Sequence, residues 1–228
     1  MTRNSTFDNL EQNQKDAITR HLSLFMAKNK EINLSAIRET DKAKVLHLED
    51  SLSVMQEIDA APEGLYIDLG SGGGFPGIPL AVASGRPTVL VESVKKKAKA
   101  LEEFSKQLNL SRQIKIECNR IEELPHEYYG RASVVTARAL SSIPSLLELA
   151  APLLNNGGKL VLLKSSNYHE EVKRAELILE DLGYSKPNIE EFKLSNGDRR
   201  SVISYTKLGK NKIKLPRRTG IAQKRPLA

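Results

Sequence analysis

The sequence predicts an α/β protein in which a mostly parallel, seven-stranded sheet follows N-terminal helices and closes with an antiparallel hairpin. From residue 64 onward, short and nearly continuous apolar segments alternate with longer amphipathic stretches. Because strands of that composition are buried on both faces, the alternation indicates a parallel sheet with helices on each side. The last two apolar segments instead flank a Ser-Asn-Gly-Asp turn at 195–198, which favours a hairpin.

The segments before residue 60 have helical apolar spacing. This spacing predicts one helix over about 9–29 and a second that begins at Thr40 or Asp41 and runs to about Ile58. The parallel strands are predicted at 65–70, 87–92, 114–118, 133–139 and 159–164. The hairpin strands are predicted at 188–194 and 201–207. We therefore expect five strand–helix units and a closing hairpin.

The net charge of +7 is concentrated at the C-terminal end of the chain. Eight basic residues and no acidic residue occur from Lys207 onward, which leaves residues 1–206 with 27 basic and 28 acidic side chains. We therefore divide the chain into a single domain over 1–206, with a helical extension over about 1–60, and a basic tail over 207–228. A segregated basic tail suits contact with nucleic-acid phosphates. The alternative is a disordered terminus that only aids solubility.

Several classes of protein are disfavoured by what the sequence lacks. It has no apolar run of transmembrane length and no secretory signal, so we expect a cytoplasmic protein and no membrane partner. No HxH, HExxH or CxxC spacing occurs, so we expect no metal. The single cysteine, Cys118, lies outside any catalytic motif, and we expect it to be buried in an apolar environment.

A glycine-rich turn follows the first predicted strand, at Gly70, Gly72 and Gly74. Glycines in such a turn let the backbone approach a ligand that a side chain would obstruct. Glu92 ends the second predicted strand, where its carboxylate can accept hydrogen bonds from both hydroxyls of a ribose. These residues together predict a cofactor that contains a nucleoside.

Two cofactors fit that arrangement, a nicotinamide dinucleotide and S-adenosylmethionine. The dinucleotide motif requires a third glycine where this chain has Phe75. Asp68, two residues before Gly70, is typical of methyltransferases, in which an acid there can orient the sulfonium and amino groups. The alternative for Asp68 is a buried carboxylate that caps loop amides. The residues favour S-adenosylmethionine and the Rossmann-like fold of class I methyltransferases that depend on it.

Longer motifs carry a more specific resemblance. They are INLSAIRETD at 32–41, LHLEDSL at 46–52, YIDLGSGGGFPGIPLA at 66–81, LVESVKKKAKAL at 90–101, NRIEELP at 119–125, TARALSSIPSLLELAAPLL at 136–154 and LLK at 162–164. Together they resemble the bacterial ribosomal RNA small-subunit methyltransferase G family, also called glucose-inhibited division protein B. The resemblance implies methyl transfer from S-adenosylmethionine to N7 of one guanosine in the decoding-region loop of 16S ribosomal RNA.

The resemblance also implies roles for individual residues. The cofactor positions of the family fall on Gly70, Phe75, Ile121, Glu122 and Arg138. Asn33 and His47 lie in segments that, by the family pattern, close over the substrate side. The chain departs from the family where Leu46 precedes His47 and where Arg199 and Arg200 replace a common Arg-His pair.

The chemistry of guanine N7 agrees with what the sequence contains. This ring nitrogen has a free lone pair, so its methylation requires alignment with the methyl donor and no general base. Arg138 and Lys164 end the fourth and fifth predicted strands, where each can position the acceptor. The alternative for Arg138 is a salt bridge at the start of a helix.

The RNA surface is predicted from basic residues near the same edge of the sheet. Lys95 and Lys96 begin a helix, where cations oppose the helix dipole, so contact with RNA phosphates or a solvated helix face would explain them. The other candidates are Arg120, Arg199, Arg200, Arg217 and Arg218. The expected partner is 16S ribosomal RNA or an assembly intermediate of the small subunit.

Four other functions remain open at this stage. They are another RNA methyltransferase, a methyltransferase for small molecules or proteins, a noncatalytic RNA-binding protein of the same fold, and a nicotinamide oxidoreductase. The basic tail disfavours the second, the intact glycine turn and Glu92 disfavour the third, and Phe75 disfavours the fourth.

Overall fold

The predicted sheet lies at the centre of the molecule, in a computed structural model that describes residues 5–228. Its strands are β1 (Leu65–Leu69), β2 (Thr88–Val91), β3 (Ile114–Glu117), β4 (Ala132–Arg138), β5 (Leu154–Lys164), β6 (Asn188–Lys193) and β7 (Arg199–Thr206). They pair in the order β3-β2-β1-β4-β5-β7-β6. Strands β1 to β5 are parallel, whereas β7 is antiparallel to β5 and β6. The predicted fold class and hairpin are therefore confirmed.

The N-terminal helices are less regular than predicted. They are α1 (Ser5–Asp8), α2 (Gln12–Ile32), α3 (Thr40–Ala43), a π-helical segment (Lys44–Glu49), α4 (Asp50–Leu52) and α5 (Met55–Asp59). The second predicted helix is interrupted because it widens into the π-helical segment and because Val54, with φ −99° and ψ 8°, leaves the helical conformation. Residues 1–4 of the predicted extension lie outside the described residues.

The remaining helices connect the strands and end the chain. They are α6 (Gly77–Ser84), α7 (Lys95–Gln107), α8 (Ile143–Ala150), α9 (His169–Ala175), α10 (Leu179–Leu182) and α11 (Ile221–Lys224). The prediction of five strand–helix units is wrong for the third unit, where two short 3₁₀ turns, Ile121–Glu123 and His126–Tyr128, join β3 to β4. Pro125 lies between these turns and lacks the amide hydrogen that a helix interior requires.

Both faces of the sheet are covered, as the apolar strands predict. Tyr66 of β1 packs into a cluster formed with α2, α6 and α7. Ile67 and Leu69 point to the opposite face and pack into a second cluster with α8 and α10. The carboxyl ends of the parallel strands therefore meet at one edge, between two helical layers, and this edge positions the candidate site.

The predicted basic tail lies against the domain. Lys207 is buried and donates to the carbonyl of Leu182, while Ile213 and Leu215 pack onto the second cluster. The final segment, Pro216–Ala228, includes α11 and is referred to below as the C-terminal strap. Ala222 of the strap is buried, and Leu227 packs onto the same cluster.

Candidate cofactor cleft and acceptor side

The glycine turn between β1 and α6 requires glycine for steric reasons. Gly70, Gly72 and Gly74 have φ values of +70°, +56° and +91°, which favour glycine. A Cβ on Gly70 would lie 2.7 Å from Leu140 Cδ1, and a Cβ on Gly74 would lie 2.7 Å from Ile78 Cδ1. A Cβ on Gly72 would meet nothing closer than the Gly70 carbonyl oxygen at 3.8 Å, so this position faces open space.

Glu92, the residue after β2, is fixed beside the turn. Its Oε2 accepts a hydrogen bond of 3.0 Å from the Gly72 amide, and its Oε1 accepts one of 2.8 Å from the Val94 amide. The side chain is buried apart from its contact with the cleft. Two backbone amides therefore hold the carboxylate in one orientation before any ligand arrives.

A cleft of about 220 Å³ opens above these residues at the carboxyl ends of the parallel strands. Ligands bind at this edge in doubly wound α/β folds. The predicted cofactor residues that line the cleft are Gly70, Gly72, Glu92, Ile121 and Glu122, together with Arg120. Sequence reasoning missed Leu140 and Gln223, which also line it.

Asp68 lies beneath the turn and is not among the residues that line the cleft. Its Oδ1 accepts a 2.6 Å hydrogen bond from the Thr136 hydroxyl, and its Oδ2 lies beside Gly77. Burial raises the pKa of Asp68 to about 6. The burial and the Thr136 contact are those expected of the strand-end alternative, whereas Oδ2 has no hydrogen-bond partner among the described residues, so the contact with sulfonium and amino groups stays a prediction.

Phe75 and His47 also lie beneath the turn, although both were predicted at the site. Their rings stack at 4.8 Å between centroids, and Phe25 and His21 pack against Phe75 at 5.1 and 4.4 Å. Burial lowers the pKa of His47 to about 4, which keeps the imidazole neutral. His21 contacts the Gly73 carbonyl at 3.1 Å. The cluster packs against the turn through Gly73, so Phe75 and His47 have a supporting role, and their predicted contacts with a ligand stay predictions.

Asp50, which sequence reasoning missed, organises the region around Arg138 and Arg200, called the acceptor side below because Arg138 is the predicted acceptor-positioning residue. Arg138, at the end of β4, donates to Asp50 Oδ2 at 2.9 Å and to the Leu46 carbonyl at 2.9 Å. Arg200, in β7, donates to Asp50 Oδ1 at 3.2 Å. One buried carboxylate thus joins the N-terminal helices, β4 and β7. The alternative reading of Arg138, a salt bridge, describes its contacts, and its side chain does not line the cofactor cleft.

Lys164 and Asn33 are also engaged by neighbouring groups. Lys164, at the end of β5, donates to Glu171 at 2.7 Å and to the Ser141 carbonyl at 2.9 Å. Asn33 follows α2 with φ 53° and accepts a hydrogen bond from Arg38. Neither lines the cofactor cleft, so the structure does not bring Asn33, Lys164 and the glycine turn together into one pocket.

A second cavity, of about 560 Å³, lies on the acceptor side. It is lined by Ser166, His169, Glu191, Phe192, Lys193, Arg199, Arg200 and Ser201. The predicted RNA residues Arg199 and Arg200 therefore meet at one cavity, next to the ion pair of Arg200 with Asp50.

The other predicted RNA residues have differing environments. Lys95, Lys96 and Arg218 are exposed, as a phosphate contact requires. Arg217 is not free for RNA, because its guanidinium donates two 2.6 Å hydrogen bonds to the buried carboxylate of Glu148. The expectation for Cys118 was also wrong, since its side chain is exposed.

Within residues 5–228, no helix combines the length and apolar character needed to cross a bilayer. The same residues contain no group of three or more histidine, cysteine, aspartate or glutamate side chains arranged to hold a metal ion.

Solved structures identify the class to which the fold belongs. An S-adenosylmethionine-dependent O-methyltransferase from Thermotoga maritima is 15% identical and superposes with a TM-score of 0.58, covering 83% of this chain and 73% of that one. An O-methyltransferase from Bacillus cereus, in complex with SAH, is 20% identical with a TM-score of 0.57, covering 82% and 91%. The fold is therefore that of S-adenosylmethionine-dependent methyltransferases.

Sequence comparison narrows this class. The family model of rRNA small subunit methyltransferase G matches residues 14–202. Proteins named ribosomal RNA small subunit methyltransferase G, from Carboxydothermus hydrogenoformans and Streptococcus thermophilus, are each 34% identical over 96% of this chain, which corresponds to 94% and 93% of their own lengths. The chain belongs to the rRNA small subunit methyltransferase G family.

Proposed function

We propose that this protein transfers a methyl group from S-adenosylmethionine to N7 of a guanosine in 16S ribosomal RNA. The observation that carries the proposal is the cleft in which Gly72 faces open space and its amide fixes the Glu92 carboxylate. The family to which the chain belongs, and the names of its relatives, support ribosomal RNA as the acceptor.

The cleft residues fit the cofactor. Each oxygen of Glu92 accepts one backbone amide and keeps a lone pair for a ribose hydroxyl. Gly72 leaves the space that a Cβ would fill. When bound, S-adenosylmethionine supplies an electrophilic methyl group on its sulfonium.

The acceptor-side residues suit a nitrogen that requires no deprotonation. His47 is neutral but buried beneath the glycine turn, so it is poorly placed to act as a base. Arg138 and Lys164 are donors held in place by carboxylates, and a donor of this kind can bind guanine O6 or a phosphate. The product, 7-methylguanine, is cationic and would be repelled by a free arginine or lysine nearby. Arg138 and Lys164 are paired with Asp50 and Glu171, so their repulsion of the product is weaker.

We assign the path of the RNA to basic residues on both sides of the cleft, all of them exposed except Arg200, which is partly buried and paired with Asp50. Lys95, Lys96 and Arg120 lie on the cofactor side, Arg199 and Arg200 line the acceptor-side cavity, and Arg218 lies on the strap. Such contacts position an RNA through its phosphates and make binding depend on salt. The proposed substrate is 16S ribosomal RNA, free or within an assembly intermediate, in the cytoplasm.

A methylation assay tests the proposal. The protein is incubated with isotopically labelled S-adenosylmethionine and with 16S ribosomal RNA, mature small subunits or assembly intermediates from a strain that lacks this gene. Nuclease digestion and mass spectrometry should find the label in 7-methylguanosine at one site. Label in another nucleoside would reject the N7 assignment, and no transfer to any of the three RNA substrates would reject the function.

A further inference from the structure

The C-terminal strap lies across the outer side of the cofactor cleft. The Gly220 amide donates to Glu122 Oε1 at 2.7 Å, and the Thr219 hydroxyl donates to Glu123 Oε1 at 2.9 Å. Three residues further along, Gln223 lines the cleft together with Glu92 and Glu122. The strap therefore contributes a wall to a pocket whose other walls come from residues 70–140.

The strap is anchored by contacts away from the cleft. Arg217 forms its two hydrogen bonds with Glu148 of α8, a side chain that is only 2% exposed, and also donates to the Arg225 carbonyl at 2.7 Å. Ala222 is buried, and Arg174 donates to the carbonyl of Ala228. This anchoring fixes the backbone on both sides of Gln223, whose exposed side chain lines the cleft.

The position of Gln223 indicates which part of the ligand it would meet. The proposed function places the ribose at Glu92. We place the base beside the lining residues that follow β3, namely Asn119–Glu122. Gln223 lines the cleft beside those residues. A glutamine amide has both a donor and an acceptor, and the edge of adenine presents both.

We propose that Gln223 contacts the adenine end of the cofactor and that the strap is a structural part of the cofactor site. This inference rests on the proposed function, because it concerns the cofactor of that reaction. It also revises the role of Glu122, whose carboxylate docks the strap through Gly220. Binding and release of the cofactor then depend on whether the strap is docked.

The test compares two neighbouring substitutions in the full-length protein. Gln223→Ala removes the proposed contact, whereas Lys224→Ala removes an exposed side chain from the same turn of α11. Calorimetry with S-adenosylhomocysteine should give a Kd about 5- to 10-fold weaker for Gln223→Ala, the effect of one lost hydrogen bond. The affinity of Lys224→Ala should equal that of the wild type. In methylation assays, Gln223→Ala should raise KM for S-adenosylmethionine and leave kcat within about twofold.

A second pair of variants tests strap docking. Glu122→Ala removes the acceptor of the Gly220 amide and should speed the dissociation of S-adenosylhomocysteine, whereas Glu122→Gln keeps an acceptor oxygen and should restore wild-type dissociation. Equal affinities of Gln223→Ala and the wild type would overturn the inference. So would a loss of RNA affinity without loss of cofactor affinity in Gln223→Ala. If the wild type itself does not bind S-adenosylhomocysteine, the proposed function fails instead.

Discussion

The cofactor side and the acceptor side of the cleft are built in different ways. On the cofactor side, a carboxylate and a backbone amide 20 residues apart, Glu92 and Gly72, hold each other in place. On the acceptor side, Asp50 joins arginines that are 88 and 150 residues away, Arg138 and Arg200. The first arrangement belongs to one strand–turn–helix motif with the strand beside it, whereas the second exists only when distant parts of the chain have come together. Substitutions on one side should therefore change cofactor binding and substitutions on the other should change RNA methylation, each without the other.

The largest effect is expected at the cofactor side, from Gly72→Val. The new side chain would occupy the open space above the turn, so S-adenosylhomocysteine affinity should fall by more than about 100-fold in calorimetry. Gly85→Val is the matched control, because Gly85 also has a positive φ, +69°, with nothing within 4 Å of its Cβ position. Both variants carry the strain of a left-handed residue, about 1–2 kcal/mol. If Gly85→Val weakened binding equally, strain would explain the loss.

The next largest effect concerns the aromatic cluster that supports the turn. Burial lowers the pKa of His21 to about 3 from its ordinary 6.5, so the unfolded chain binds more protons in mild acid. From pH 7 to 5 this residue should therefore reduce the free energy of unfolding by about 2 kcal/mol. Asp68, whose pKa is raised to about 6 from 3.8, has the opposite sign and contributes more stability as the pH falls through 6.

Substitution of His21 by glutamine isolates that contribution. His21→Gln removes the titration but keeps a donor for the Gly73 carbonyl, so urea unfolding should show a pH dependence reduced by about 2 kcal/mol between pH 7 and 5. His126→Gln, at an exposed histidine, should leave the wild-type dependence unchanged. An unchanged pH dependence in His21→Gln would mean that the buried ring is not the origin of the acid sensitivity.

A smaller and more selective effect is expected on the acceptor side, from Asp50→Asn. The two arginines lose a shared charge while the shape of the side chain is kept, so kcat/KM for RNA should fall about 10-fold, or about 1.4 kcal/mol. Affinity for S-adenosylhomocysteine should stay within about twofold of the wild type. Glu180→Gln breaks an exposed pair with Lys212 and should change neither quantity. If Asp50→Asn lowered the affinity for S-adenosylhomocysteine as much as it lowered kcat/KM for RNA, the two sides would not be separable.

The same difference explains what could be predicted from the sequence. The strand positions follow from local apolar runs, and the glycine turn with Glu92 follows from residue spacing. The sequence therefore predicted both. The π-helical segment and the 3₁₀ turns after β3 depend on tertiary contacts and on a short connection that no periodicity describes. Asp50 lies inside the motif LHLEDSL, but its partners are far away in the chain. Gln223 carried no signal, because nothing local links it to the turn.

The exposed side chain of Cys118 has a practical consequence. It is the only cysteine in the sequence, and the next residue, Asn119, lines the cofactor cleft. A maleimide dye would therefore attach at a single position on the rim of the cleft without any prior removal of other thiols. Fluorescence from that dye would follow ligand arrival and strap movement in real time, on the natural sequence.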